Sequence, residues 1–215
     1  MNRFLAALAL AAFAWSAQAG ALKVTVLDKE GRPVPDAVVV LAPSVPGTPA
    51  PLPDHVTITQ QNMRFVPAVS LVGVGAVGTF VNNDPWEHHV RGSAAGIQNF
   101  DAASSSGFEL RLEGKANGRP AQSSQAKFDQ PGAVLLGCHL HASMKAHVFV
   151  SDTPWAALSG EDGSASFVGV PEGPLRIRVW QADQLLELPP QQMTLTAAPA
   201  RATVQLQVLP RRRRV

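Results

Sequence analysis

The chain is a series of short apolar runs that end at proline or glycine, and this pattern limits what it can fold into. Some runs alternate apolar and polar residues, as in "LKVTV" at 22–26, and the runs of residues 55–152 lack the 3.6-residue period of an amphipathic helix. Proline and glycine supply 18 and 17 of the 215 residues, whereas charged residues make up only 16%. Such a mixture is typical of short strands joined by turns. The sequence therefore predicts an all-β fold.

Three parts of the chain differ in pattern. Residues 20–43 contain two strand-like runs around a turn at Asp28–Gly31, and residues 44–54 are too rich in proline to pair as a strand. Residues 55–152 have the run spacing of an antiparallel sandwich, with a polar, glycine- and serine-rich loop region between "HHVRG" and "GAVLLGC". In residues 153–209, "EDG" and "PEG" punctuate "SASFVGV" and "PLRIRVW", which predicts a hairpin.

The first part is too short to fold by itself, because two strands form only a marginal sheet. We therefore expect residues 20–43 to pair with strands of residues 153–209, with residues 55–152 inserted between them. Such an insertion is easiest where the ends of a domain lie close together at its surface. The predicted architecture is one β-sandwich inserted into a second.

The two ends of the chain are not expected to belong to the fold. Residues 1–19 have the pattern of a secretory signal: Arg3, an apolar alanine-rich run, and "AQA". We expect cleavage before Gly20, export to the periplasm and no transmembrane segment thereafter; a retained N-terminal anchor is the alternative. Residues 210–215 are a basic tail, expected to be solvated, with adhesion to an anionic membrane surface as the alternative.

The net charge of +2 comes from these ends. Five of the 18 Lys and Arg residues lie there, and the remaining 13 face 16 Asp and Glu residues. The body of the protein is therefore mildly acidic. We expect no nucleic-acid partner, because such partners require a basic surface.

Cys138 is the only cysteine in the sequence. An unpaired thiol in an exported protein requires burial, an intermolecular partner or a metal. His141 follows three residues later and Met144 six residues later, which combines thiolate, imidazole and thioether donors. This set favours copper, above all Cu(I), and a trigonal copper site with a weak axial methionine needs a second histidine.

The second histidine is expected in "NNDPWEHHV". Adjacent residues of a strand point to opposite faces, so His88 and His89 cannot both face inward. His88 shares its face with the apolar Val90, which favours His88 as the ligand. The same alternation places Cys138 and Met144 on apolar faces.

The spacing favours a single copper ion. The segment "CHLHASM" supplies C-x2-H-x2-M, whereas a binuclear electron-transfer site would need a second cysteine at position 134, where Val134 stands. Multicopper oxidases and copper nitrite reductases need further H-x-H or H-C-H groups, and "HLH" is the only one in this sequence. We therefore expect that the protein is not an enzyme.

Residues 55–152 resemble a cupredoxin of the plastocyanin and amicyanin kind, through "MRFVP", "VGTFVNND", "HHV" and "FDQPGAVLLGCHLHASM". This resemblance implies a Greek-key β-sandwich. The outer parts resemble the carboxypeptidase regulatory-like (transthyretin-like) sandwich, through "VTVLDKEGRPVPDAVVVL" and "SGEDGSASFVGVPEGPLRIRVW". The whole chain resembles the bacterial methylamine utilization proteins, which join these two kinds of unit and also carry "DTP", here in "SDTPW".

The resemblance implies one mononuclear type-1 (blue) copper site with four ligands: His88, Cys138, His141 and Met144. Two neighbours depart from the pattern. His89 stands where plastocyanin-type proteins have asparagine after the first ligand, and His139 stands where close relatives have asparagine after the cysteine. We expect His89, His139 and Asn82 to surround the ligands and to influence the reduction potential.

The leading hypothesis is a periplasmic one-electron carrier that docks a redox partner, a cytochrome c or a dehydrogenase, with a link to methylamine oxidation implied by the resemblance alone. Electrons are expected to pass through His141. Trp86 is expected to pack within the fold, with a cover over the site or a docking role as alternatives. Two other hypotheses stay open: copper storage or delivery without electron transfer, and a metal-free structural or interaction protein.

Overall fold

The structure is a computed structural model that describes residues 19–95, 107–116 and 118–209. The predicted signal peptide, apart from Ala19, and the basic tail lie outside these described residues. None of the described residues belongs to a helix with the length and apolar character needed to cross a membrane.

Strands account for all of the regular structure over the described ranges, so the predicted all-β fold class is confirmed. The strands are β1 (Ala19–Leu27), β2 (Val38–Pro43), β3 (His55–Gln60), β4 (Phe65–Val66), β5 (Val69–Gly73), β6 (Ala76–Asn82), β7 (His88–Ala94), β8 (Phe108–Leu112), β9 (Gln122–Phe128), β10 (Gly132–Cys138), β11 (Lys145–Ser151), β12 (Ala156–Leu158), β13 (Ser164–Pro171), β14 (Gly173–Trp180), β15 (Gln191–Leu195) and β16 (Ala200–Gln205).

The middle of the chain forms two sheets that share one core. One sheet has the order β5-β11-β10-β7-β8 and the other β4-β3-β6-β9. Burial alternates along the strands, most regularly in β6, because successive side chains point to opposite faces. Phe80 from one sheet and Val90, Leu136 and Val148 from the other are fully buried in this shared core. We call this unit the middle sandwich.

The outer parts of the chain form a second pair of sheets around a separate core. Their orders are β13-β1-β16 and β12-β2-β14-β15, and Val24, Leu41 and Leu175 lie in the core between them. Thus β1 and β2, which precede residue 44, pair with strands that follow residue 155. We call this unit the outer sandwich. The exact boundaries of the two predicted domains stay a prediction.

The hairpin expected in residues 153–209 is wrong. The strands β13 and β14 are separated by Glu172 alone, but β13 pairs with β1 whereas β14 pairs with β2 and β15. The chain therefore crosses from one sheet to the other at this turn, where Gly173 has a φ of +116°. The Pro-Glu-Gly signal correctly indicates where one strand ends and the next begins, but it does not specify which neighbour each strand pairs with.

The loop region expected between "HHVRG" and "GAVLLGC" contains two additional strands, β8 and β9. In β9, "QSSQAKF", most side chains are exposed or half-buried and only Phe128 is buried, because this strand lies at the edge of its sheet. A strand that buries little has no apolar alternation to reveal it in the sequence.

The two sandwiches contact each other through a small apolar cluster centred on Val38, Val40 and Ala156. Trp180, at the end of β14, packs against His147 and Phe149 of β11 with ring centroids 5.5 Å apart in both cases. The contact therefore involves β11, the strand next to β10 in the sheet that also contains β7.

Candidate metal centre

Two adjacent strands and one loop place the predicted ligands. His88 is the first residue of β7 and Cys138 is the last of β10; these strands are antiparallel neighbours, with Cys138 opposite Val90. The loop between β10 and β11 carries His141 and Met144. This loop is closed by backbone hydrogen bonds, since the Met144 N–H donates to the His141 carbonyl at 3.0 Å and the Cys138 N–H donates to the Met144 carbonyl at 3.4 Å.

Three donor atoms meet at this point. The Cys138 Sγ lies 3.6 Å from His88 Nδ1 and 3.5 Å from His141 Nδ1, and the two nitrogens are 3.2 Å apart. His88 is fully buried, Cys138 is 6% exposed and His141 is half-buried. Among the described residues, His88, Cys138 and His141 are the His, Cys, Asp or Glu residues whose donor atoms cluster closely enough to hold a metal ion.

The spacing of these atoms fits a bound metal ion. For zinc, metal–nitrogen distances are about 2.0–2.1 Å and metal–sulfur distances about 2.3 Å. At trigonal to tetrahedral angles these lengths separate two nitrogens by roughly 3.3–3.6 Å and sulfur from nitrogen by roughly 3.5–3.8 Å. The observed separations of 3.2, 3.5 and 3.6 Å lie at or just below these ranges. One thiolate with two imidazoles is also a donor set that suits copper.

Met144 lies beside this group within the core. Its side chain is 1% exposed, and it belongs to the same buried cluster as Cys138. It precedes β11, where Ala146, Val148 and Val150 are buried and Lys145 is exposed, so the alternation predicted from the sequence is present. The ligand roles of all four residues stay predictions.

A buried carboxylate that was not anticipated contacts His88. Asp84 Oδ2 lies 2.9 Å from His88 Nε2, and the Asp84 side chain is only 4% exposed. The backbone N–H groups of Asn62 and Met63 donate to Asp84 at 2.6 and 2.9 Å. Burial raises the pKa of the Asp84 carboxyl, but the hydrogen bonds from Met63, His88 and Asn62 together outweigh it, so this pKa lies below its ordinary value. Asp84 is therefore an anion beside His88.

Asn82 holds the segment that leads to His88. Its Nδ2 donates to the carbonyls of Trp86, Leu112 and Glu113, and its Oδ1 accepts from the Asp84 N–H at 2.9 Å. This side chain is fully buried. Asn82 thus supports Asp84, which in turn contacts His88.

His89 and His139 face away from the three donor atoms, on the outer side of the sheet. Their rings are 5.6 Å apart, edge to face, and the His139 N–H donates to the His89 carbonyl at 2.9 Å. His89 Nε2 lies 3.3 Å from a carboxylate oxygen of Glu109. Arg91, with the strongest influence, and His89 hold the pKa of the Glu109 carboxyl below its ordinary value. The influence of His89 and His139 on a reduction potential stays a prediction.

Exposed apolar side chains belong to the loops around the site. Met63, Trp86 and Leu140 are 43, 44 and 50% exposed. The backbone of Met63 binds Asp84, Trp86 precedes His88 by two residues, and Leu140 precedes His141. Trp86 is therefore not packed away, contrary to the ordinary packing expected from the sequence.

Gly114 is close to the segment that carries Asp84, and substituting it is expected to disturb the site. A Cβ at Gly114 would meet the Pro85 carbonyl and lie 2.7 Å from the Trp86 backbone nitrogen. We expect Gly114→Ala to destabilise the protein by about 1–3 kcal/mol, because the backbone has to shift, and to weaken metal binding. Thermal unfolding and a zinc titration measure both effects.

Gly137 provides the matched control for this substitution. It directly precedes Cys138, yet a Cβ there would meet nothing within 4 Å. Gly137→Ala should therefore keep both stability and metal binding. Equal effects of the two substitutions would contradict the importance of the Pro85–Trp86 contact.

No protein-family model matches this chain, and no curated protein does. Among solved structures, the chain is similar to a copper-containing nitrite reductase from Thermus scotoductus SA-01, with 22% identity, a TM-score of 0.37, and coverage of 52% of this chain and 26% of that one. It is also similar to a Cu(I) form and an oxidised form of amicyanin mutants, at 14 and 15% identity, each with a TM-score of 0.36 and coverage of 53% of this chain and 98% of that one. In each case the likeness covers about half of this chain.

Proposed function

We propose that this protein is a type-1 copper protein that carries one electron at a time and has no catalytic activity of its own. The observation that carries the proposal is the meeting of one cysteine sulfur and two histidine Nδ1 atoms within 3.2–3.6 Å at a largely buried point. When bound there, copper would supply the Cu(II)/Cu(I) couple.

Each side chain then has a specific part. Cys138 binds as a thiolate, His88 and His141 bind through Nδ1, and the buried Met144 supplies a weak thioether donor. The backbone hydrogen bonds that close the loop from Cys138 to Met144 hold these donors in place before a metal arrives. A site held in this way before the metal binds would need little rearrangement when the copper changes oxidation state, which would suit repeated electron transfer.

His141 is the proposed route for electrons. It is the half-buried member of the donor group, whereas His88 is fully buried. The exposed side chains of Met63, Trp86 and Leu140 provide apolar surface on the surrounding loops. A reduced partner protein would donate an electron there, and an oxidised partner would accept it, through a small and transient interface.

The proposal extends to the partner protein and to the cellular compartment. Residues 1–19 support export to the periplasm. A cytochrome c or a dehydrogenase as partner, and a role in methylamine oxidation, are supported by the sequence resemblance alone.

Reconstitution with copper tests the proposal. We expect residues 20–215 to bind one Cu(II) with an intense thiolate-to-copper band in the visible spectrum, and the band to disappear on reduction by one electron. Stopped-flow mixing with a reduced cytochrome c should show rapid exchange. A colourless protein would contradict a type-1 site, and a coloured protein without rapid exchange would favour copper storage or delivery.

A further inference from the structure

The hydrogen bond between Asp84 and His88 determines which ring nitrogen of His88 is free. The Asp84 carboxylate accepts hydrogen bonds and donates none, so at 2.9 Å the proton between Oδ2 and Nε2 belongs to the imidazole. In a neutral imidazole only one nitrogen carries a proton, which leaves the lone pair on Nδ1. This is the nitrogen that faces the Cys138 sulfur and His141 Nδ1.

The position of Asp84 is fixed without any metal. Asn62 N–H donates to its Oδ1, Met63 N–H donates to its Oδ2, and its own N–H donates to the Asn82 side chain. Asn62 and Met63 have φ angles of 53° and 56°, the left-handed backbone region that non-glycine residues rarely adopt. The turn at these residues thus presents two N–H groups to one carboxylate, which holds the negative charge in place behind His88.

We propose that Asp84 is a positioning residue that fixes the Nδ1 lone pair of His88 toward the metal and lowers the reduction potential of the bound copper. This inference rests on the proposed function. A carboxylate on the far nitrogen makes the imidazole a stronger donor. A fixed negative charge in a buried environment also stabilises the site with Cu(II) more than the site with Cu(I), because Cu(II) carries the larger positive charge.

The first test uses the metal-free protein. Nitrogen-15 NMR of the histidine rings should show His88 as the Nε2–H tautomer in the wild type, and a mixture of tautomers in Asp84→Ala. In Asp84→Asn the amide oxygen can take the place of Oδ2 and accept from both Met63 N–H and His88 Nε2, while the amide nitrogen faces Asn62 N–H. In that orientation we expect the tautomer to be kept while the charge is lost. A wild-type His88 that carries its proton on Nδ1 would overturn the positioning role.

The second test is the reduction potential of the copper-loaded protein. In Asp84→Asn we expect Cu(II) affinity to fall by about 10–100-fold, with a smaller change for Cu(I). Each tenfold loss of Cu(II) affinity relative to Cu(I) affinity raises the reduction potential by about 59 mV. Glu87→Gln is the matched control, since Glu87 also precedes His88 and carries a negative charge, but its carboxylate is half-exposed and paired at 3.8 Å with Arg111.

The outcomes separate this inference from the proposed function. If Asp84→Asn raises the potential clearly more than Glu87→Gln does, the inference is supported. If both variants bind copper with equal potentials, the role of Asp84 is overturned while the copper protein stands. If the wild type binds no copper, the proposed function and the effect on the potential both fail. Near-ultraviolet circular dichroism identifies a variant that has not folded. If Asp84→Asn does not fold, the potential of Asp84→Ala is compared with that of Glu87→Gln instead.

Discussion

We expect the substitution Cys138→Ser to remove the visible band of the copper-loaded protein and to lower its affinity for Cu(I) by more than about 100-fold. Loss of a residue that only contacts a metal ligand already costs up to about 100-fold, and Cys138 is a proposed ligand itself. Serine is nearly the same size as cysteine, so the buried position remains filled. Its hydroxyl does not ionise near neutral pH and is a hard donor, whereas Cu(I) prefers soft sulfur. Visible absorption and a competition titration with a Cu(I) chelator measure the two effects.

His139→Asn is the matched control for this substitution. His139 directly follows Cys138, but its ring lies against His89 on the outer side of the sheet. We expect this variant to keep the band and most of the copper affinity. Persistence of the band in Cys138→Ser would rule out Cys138 as the source of the colour and, with it, the proposed site.

The inward orientation of His88 and Cys138 could be predicted because strand alternation distinguishes inward from outward residues. That the two residues meet was implied by the resemblance to cupredoxins. His88 is fully buried while His89 is half-buried, and Cys138 is buried while His139 is exposed. The three-residue spacing from Cys138 makes His141 a candidate, and the hydrogen bonds that close the loop bring its Nδ1 to 3.5 Å from the sulfur. Local rules of this kind need no knowledge of which strands are neighbours.

Asp84 was missed because its role depends on contacts between distant segments. Its carboxylate is placed by the turn at Asn62 and Met63, which approaches through the pairing of β3 with β6. The sequence does offer one signal, an acidic residue four positions before a predicted histidine ligand. Carboxylates frequently accept the second ring proton of such histidines.

Sheet membership was the other feature that the sequence did not determine. The turn between β13 and β14 has the residues of a hairpin but connects two sheets, and β9 lacks the apolar pattern of a strand. Both features depend on which surfaces are covered by the rest of the chain. The pairing of β1 and β2 with late strands could be anticipated because two strands cannot bury a core.

The two cores lead to the second prediction with a large effect. Leu136 is fully buried in the middle sandwich, in β10, two residues before Cys138. We expect Leu136→Ala to lower the free energy of unfolding by about 2–5 kcal/mol, because lost apolar contacts and a cavity both contribute. The affected transition should be the one that copper stabilises, since a ligand that binds only the folded state raises its stability.

Two further leucine substitutions determine where this effect lies. Leu186 is 71% exposed, so Leu186→Ala should change the free energy of unfolding by less than about 0.5 kcal/mol. Leu175 is 2% exposed in the core of the outer sandwich, so Leu175→Ala should be as costly as Leu136→Ala but act on a transition that copper does not shift. Calorimetry with and without copper resolves the two transitions, because units with separate cores can unfold separately. The opposite result would be a single transition that both core substitutions lower equally and that copper raises in each variant. It would show that the two sandwiches unfold as one unit, and it would contradict the predicted division into domains.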